Sequence, residues 1–259
     1  MRSILVFGTI LLAAAPVFGA DAGKDPDPQE IIKRFAAKEA EFAKARENYT
    51  YRQTVKLTEL DAGGNPMGKY ELIEDVVFAA DGKRTEKVVR APMATLQRIL
   101  LTPEDEADLR HVQPFVLTTD QIPSYDIQFL GRQKVDEVGC FAFSVKPKKM
   151  EKGKRYFEGQ IWVDDRDLQI VKTYGKGVGI VKKGNEFPRF ETYREQIDGK
   201  YWFPTYTHAD DTLHFPEYDQ RISMTVKYQD YKQFKSQTNI TFGDEAKPDT
   251  TTPQTPPKK

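Results

Sequence analysis

Arg155-Tyr156-Phe157-Glu158-Gly159-Gln160-Ile161-Trp162-Val163-Asp164-Asp165-Arg166-Asp167-Leu168-Gln169-Ile170-Val171-Lys172-Thr173-Tyr174 is the stretch on which the fold turns. Phe157, Ile161 and Val163 share one parity and Glu158 and Gln160 the other, the period-2 pattern of a strand with one dry and one wet face. Asp164 to Asp167 supply carboxylates that bond their own backbone in turns, so the strand folds back on a second one as an antiparallel hairpin. That hairpin has one apolar side.

Strands continue on both flanks. Upstream, Gly139 to Val145 places Phe141, Phe143 and Val145 on one face, and Tyr125 to Gly131 does the same with Tyr125, Ile127 and Phe129. Downstream, Gly175-Lys176-Gly177-Val178-Gly179 lacks the ending of a phosphate loop and precedes no helix, so it reads as a flexible turn. Phe187 to Gln196 and Tyr201 to His208 pair across the strong turn signal Asp198-Gly199. Arg221 to Phe234 closes the series, with Ile222, Met224, Val226 and Tyr228 against Ser223, Thr225, Lys227 and Gln229. Near the start, Tyr49 to Leu60, Lys69 to Ala79 and Lys83 to Arg90 are three more strands in consecutive hairpins. Such a meander predicts an antiparallel sheet and not a βαβ fold.

Two segments read as helical. Asp27-Pro28-Gln29-Glu30 is a helix start, and Ile31, Ile32, Phe35, Ala36, Phe42 and Ala43 then recur near helical spacing to about Glu47. Its expected role is to cover one side of the sheet. In the middle of the chain, Ala94 to Leu101 carries Leu96, Ile99, Leu100 and Leu101, and Thr102-Pro103-Glu104-Asp105 caps a short polar helix to about His111. An apolar insert in a β meander is either a mobile lid over the sheet's apolar face or a fixed plug, and the sequence leaves both open. The expected fold is α+β: a curved antiparallel sheet forming an incomplete, half-open β-barrel with an N-terminal helix and a helical lid insert.

Composition narrows the function classes. The 259 residues hold 39 basic and 39 acidic side chains, so charge alone selects neither nucleic acid nor an anionic membrane surface. Residues 1–20 read as a secretory signal, with Arg2, an apolar run from Ile4 to Ala15 and a small-residue exit at Phe18-Gly19-Ala20 or Ala20-Asp21-Ala22. An uncleaved anchor is the lesser alternative. Residues 27–242 form the expected domain, and 243–259 a disordered proline- and threonine-rich tail. The single cysteine, Cys140, forbids an internal disulfide, and its place among Phe141 and Phe143 marks it as a small strand residue. With no cysteine just after the leader for a lipid anchor, the expected localisation is periplasmic and soluble.

The pattern F-x-G-x-I-W-V-D-x-x-D-x-Q-I-V-K, Phe157 to Lys172, resembles the central hairpin of the LolA-like outer-membrane lipoprotein-sorting family, which spans LolA- and LolB-like carriers and RseB-like sensors. The resemblance implies a half-open barrel whose lid shields acyl chains in the aqueous periplasm. The implied partners are lipoproteins or lipids held by their acyl chains, or for a sensor an inner- or outer-membrane protein. No cofactor is implied. The family's lid-locking arginine has no identifiable counterpart, since neither Arg98 nor Arg110 sits in a diagnostic motif.

Serine elbows, HExxH helices, CxxC pairs and Walker loops are missing, so no catalytic residue is nominated. His208-Ala209-Asp210-Asp211-Thr212-Leu213-His214 is the one cluster to weigh for zinc; it reads as a polar loop with no standard metal spacing. A metal-dependent hydrolase there is the third function class, behind carrier and sensor. The candidate lipid-contacting residues are the apolar parities of the strands: Tyr125, Ile127, Phe129, Phe141, Phe143, Val145, Phe157, Ile161, Val163, Ile222, Met224 and Val226. Leu96, Ile99 and Leu100 are the candidate lid. The shared premise is that these faces enclose a trough roomy enough for a hydrocarbon chain, where each buried methylene contributes about 0.8 kcal/mol.

Overall fold

The computed structural model describes residues 27–78 and 84–234, so the expected leader over 1–20 and the expected tail over 243–259 lie outside the described residues. Helix α1 (Pro28–Arg46) starts where the side chain of Asp27 accepts the N–H of Gln29 at 3.0 Å and Pro28 takes the first turn. It leads into β1 (Tyr49–Leu60), β2 (Pro66–Phe78) and β3 (Arg84–Ala94), a three-stranded meander. Residues 95–124 then carry α2 (Pro103–Ala107), a π-helical turn over Asp108–Val112 and a 3-10 turn over Ile122–Ser124. Seven strands follow: β4 (Tyr125–Val135), β5 (Val138–Pro147), β6 (Arg155–Asp164), β7 (Ile170–Gly179), β8 (Arg189–Gln196), β9 (Trp202–His214) and β10 (Asp219–Gln233).

All ten strands lie in one antiparallel sheet of order β3-β2-β1-β10-β9-β8-β7-β6-β5-β4. The quoted hairpin is β6–β7, with Phe157 opposite Gly177 and Ile161 opposite Thr173. The first and last parts of the sheet meet through β1 and β10, whereas β3 and β4 are its two edges among the described residues. One core cluster draws residues from eight strands and from α1. Eight flat strands would span more than 30 Å at about 4.8 Å each, far beyond one helix of about 10 Å diameter, so the sheet must curl around α1. It is an open half-barrel, and the segment 95–124, which joins these two edges, has to cross the open side.

The apolar face of α1 is Ile31, Ile32, Phe35, Ala36 and Phe42, all buried, and Phe35 meets Phe143 with 5.4 Å between ring centroids. Among these lies a buried carboxylate, Glu39. Arg194 of β8 donates to both its oxygens at 3.1 and 3.2 Å, and the amide of Ile170 on β7 donates at 3.0 Å. Arg194 also donates to the carbonyl of Phe115 in the crossing segment. One ion pair therefore ties helix, two strands and the crossing segment together, and both partners are buried.

Three local expectations change. Residues 94–101 are not helical: Ala94 ends β3 and the following residues run as an extended strap, with the helical part of the insert confined to 103–112. The glycine run 175–179 is no turn but the second half of β7. A Cβ on Gly177 would lie 1.9 Å from Asp108 Oδ2, and one on Gly159 2.5 Å from the Cα of Gly175, so these glycines let β6, β7 and the π-turn approach closely. Residues 208–214 are likewise not a loop but the second half of β9, opposite β10.

Candidate functional site

The crossing segment divides the trough. Val112, Phe115 and Leu117 are buried in it, and Phe115 stacks on Phe157 at 4.6 Å, so over β4 to β7 the insert is a plug. Phe141, Phe143, Val145, Phe157, Ile161 and Val163 are closed off beneath α1 and this plug. Tyr125 belongs to the same cluster, with Ile127 and Phe129 half-buried at its margin. Val226 sits in a separate cluster with Val55 and Tyr228. The premise of one roomy trough is therefore corrected: ten of the twelve candidate residues do not line the apolar cavity that remains.

That cavity, about 260 Å³, lies over β1, β9 and β10 under the strap. Ile222 and Met224 form its floor with Leu57 and Leu213, Phe187 and Phe190 its wall, and Ile99, Leu100 and Leu101 its cover. Leu96 and Ile99 are half-buried against the core, whereas Leu100 is 85% exposed at the mouth.

The strap bonds β2 at its start, where Thr95 N–H donates to the Lys69 carbonyl at 2.8 Å and Gln97 Nε2 to that of Met67 at 2.9 Å, and its middle is held by one carboxylate. Glu59 Oε2 accepts the N–H of Gln97 at 2.7 Å, and its Oε1 accepts those of Arg98 at 2.7 Å and Ile99 at 2.6 Å. Glu59 has no solvent exposure, and Gly68 opposite leaves room for it, since a Cβ there would come within 2.5 Å of Oε2. A charge buried this completely is stable only because three donors converge on it. Tyr218 adds a clasp, donating to the carbonyl of Arg98 at 2.7 Å while the Arg98 guanidinium lies 4.3 Å over its ring. The far side of the strap is anchored by the Thr102–Asp105 capping box of α2.

Among the polar groups that line the cavity, two stand out. Gln113 is buried and its Nε2 lies 3.7 Å from the sulfur of Met224, but its Oε1 has no hydrogen-bond partner. A buried acceptor without a donor is uncommon and marks a place where a ligand N–H or O–H gains most. Asp108 is held bidentately by Arg155 at 2.7 and 2.6 Å, yet burial outweighs the guanidinium and pushes its pKa up to about 6, from 3.8. The folded protein thus binds a proton that the unfolded chain has released, so this residue's contribution to stability is present below about pH 4 and is lost as the pH rises through 6. Replacing Asp108 by asparagine should flatten the fall in unfolding free energy between pH 4 and 6, which urea titrations at stepped pH will measure.

The histidine cluster does not converge. His208 and His214 share a parity on β9 but stand six residues apart, about 20 Å along an extended strand, too far to share an ion. His208 faces Asp210 at 3.6 Å, and His214 bonds Asp219 at 2.9 Å, which raises its pKa. Among the described residues no group of three or more His, Cys, Asp or Glu is placed to hold a metal. Cys140 is buried, and burial pushes its thiol up to about 11. No described helix is long and apolar enough to cross a membrane.

Sequence reasoning missed Glu59, Leu213 and Tyr218. Glu59 was legible, since it continues the buried parity of Val55 and Leu57; Leu213 was hidden by the misreading of β9 as a loop.

No family model matches the chain, and no curated protein does. Solved structures do. A DUF1329 family protein from Desulfovibrio piger matches at 15% identity and TM-score 0.45, covering 85% of this chain and 96% of its own. A LolA superfamily protein from Nitrosomonas europaea matches at 11% identity and TM-score 0.36, covering 80% and 93%. An outer-membrane lipoprotein-sorting protein domain from Vibrio parahaemolyticus, described as putative in that structure's own name, matches at 12% identity and TM-score 0.36, covering 78% and 92%. At such scores the likeness says nothing of ligand or partner. The chain is similar to LolA-superfamily structures, and similar in fold alone.

Proposed function

We propose that this chain is a non-enzymatic, exported binder that holds one slender apolar chain, such as an acyl chain, beneath the strap 95–102. The observation that carries this reading is the apolar cavity of about 260 Å³ under a strap whose middle is held by a single buried carboxylate. It has room for roughly eight or nine groups of the ~30 Å³ that a water molecule occupies. Eight methylenes at about 0.8 kcal/mol each would contribute about 6 kcal/mol, and a ligand group that donates to Gln113 would add about 1 kcal/mol to that. The several chains of a lipoprotein do not fit unless the strap lifts.

Native mass spectrometry and lipid extraction of protein purified from a periplasm, with uptake of a fluorescent fatty acid, test the reading. Leu213→Trp fills the cavity and should weaken uptake at least tenfold while leaving the circular dichroism spectrum intact. Absence of both co-purifying lipid and fatty-acid uptake would remove it.

A second reading, a sensor that holds a membrane partner, is favoured by one observation: β3, an edge of the sheet among the described residues, carries exposed Val88, Val89 and Met93. Unpaired apolar edges invite strand addition. Crosslinking in cells discriminates, because a carrier meets many lipoproteins briefly and a sensor holds one integral membrane protein.

A further inference from the structure

A second cavity of about 300 Å³ lies at the other end of the concave face, and its chemistry is different. Along β1 it takes Tyr49 and Tyr51, about 13 Å from Val55, the nearest β1 residue that lines the first cavity. Asp230 on β10, with φ 55°, offsets the strand parity after Tyr228, and the cavity takes Tyr231 into its wall. Phe42, Phe203 and these tyrosines supply an aromatic lining; Arg46, Arg84, Arg110 and His111 supply the polar one.

The arginines are not equivalent. Arg84 spends its donors on Glu86, the carbonyl of Arg110 and Gln53, at 2.9, 3.0 and 3.3 Å. Arg110 bonds Glu86 at 3.2 Å and Glu106 at 3.3 Å. Both carboxylates sit behind the guanidinium groups and do not line the cavity. Arg46, in the last turn of α1, is half-buried, makes no ion pair or hydrogen bond among the described residues, and has its guanidinium 5.9 Å from the centre of the Phe42 ring. The one carboxylate on the wall is Glu47, which is exposed. Burial and the neighbouring Arg84, Arg46 and Arg110 all lower the pKa of His111, the sign of a positive local potential. A guanidinium offers five donors in a planar fork suited to a two-oxygen anion.

We propose that this cavity binds an oxyanion, a phosphate or carboxylate carried on a small molecule, with Arg46 as its principal ligand and the aromatic wall receiving the attached carbon. Arg84 and Arg110 hold the field from their fixed positions. The proposal does not depend on lipid binding in the first cavity.

Calorimetric titration of the full chain with inorganic phosphate, phenyl phosphate and dodecyl phosphate below its micelle concentration tests this, with benzyl alcohol as a neutral control. Phenyl phosphate should bind, Arg46→Ala should weaken it at least tenfold, and Arg46→Lys should restore part of the loss without change in melting temperature. Ile222→Trp, in the other cavity, should leave it unchanged. Dodecyl phosphate binding at least tenfold tighter than inorganic phosphate would assign an amphiphile's headgroup, and equal affinities a free anion. No binding of any phosphate, an unaltered affinity in Arg46→Ala, or equal binding of benzyl alcohol would overturn the proposal.

Discussion

Replacing Arg194 by methionine should cost about 3–5 kcal/mol of unfolding free energy, read from guanidinium titration, because it strands the carboxylate of Glu39 in the core. Both side chains are buried, and among the described residues Glu39 has one other donor, the amide of Ile170. The mutation also removes the donor to the Phe115 carbonyl, so the plug over Phe157 should loosen with the helix. Glu39→Leu together with Arg194→Met should recover most of the loss, since an apolar pair of similar volume needs no compensating charge. If the single variant is within 1 kcal/mol of the parent, roughly the worth of an exposed pair, this link is not what joins α1 to the sheet.

Glu59→Ala should produce the second large effect, but a local one. Three amide donors at 2.6 to 2.7 Å lose their common acceptor. Hydrogen bonds to a charged group contribute about 1.5–3 kcal/mol each, but these amides border solvent and water replaces part of the loss, so the global cost should be about 3 kcal/mol. Hydrogen exchange at Gln97, Arg98 and Ile99 should accelerate at least 100-fold while that of β5 and β6 stays close to the parent. Fatty-acid uptake should become faster and the bound state shorter-lived, because the cover of the cavity loses three of the bonds that keep it closed. Uniform acceleration across the sheet would mean that Glu59 supports the fold as a whole and not the strap.

These two variants mark where reading the chain one residue at a time succeeds and where it stops. The alternation in Phe157, Ile161 and Val163, and again in Ile222, Met224 and Val226, was sufficient to predict a one-sided antiparallel meander, because strand periodicity is local and each hairpin carries its own turn residues. The N-terminal helix and its buried face were legible for the same reason. Glycines misled: Gly175 to Gly179 read as a turn, whereas in the sheet the missing side chains admit Asp108 and the facing strand, a demand set by residues about 70 positions away. The histidines misled in the opposite direction, since nearness in sequence becomes distance along an extended strand.

What the sequence by itself determined is the ordered set of ribbons, each with a dry side. Only the tertiary structure decided how much of that dry surface is left for a ligand. Phe35 from the first helix and Phe115 from the crossing segment fill much of the hollow, and a carboxylate on β1 with Tyr218 holds the strap over the remainder. Burial of a strand face follows from local alternation, but whether the space above it is filled depends on which distant rings reach it, and that is a property of the closed chain.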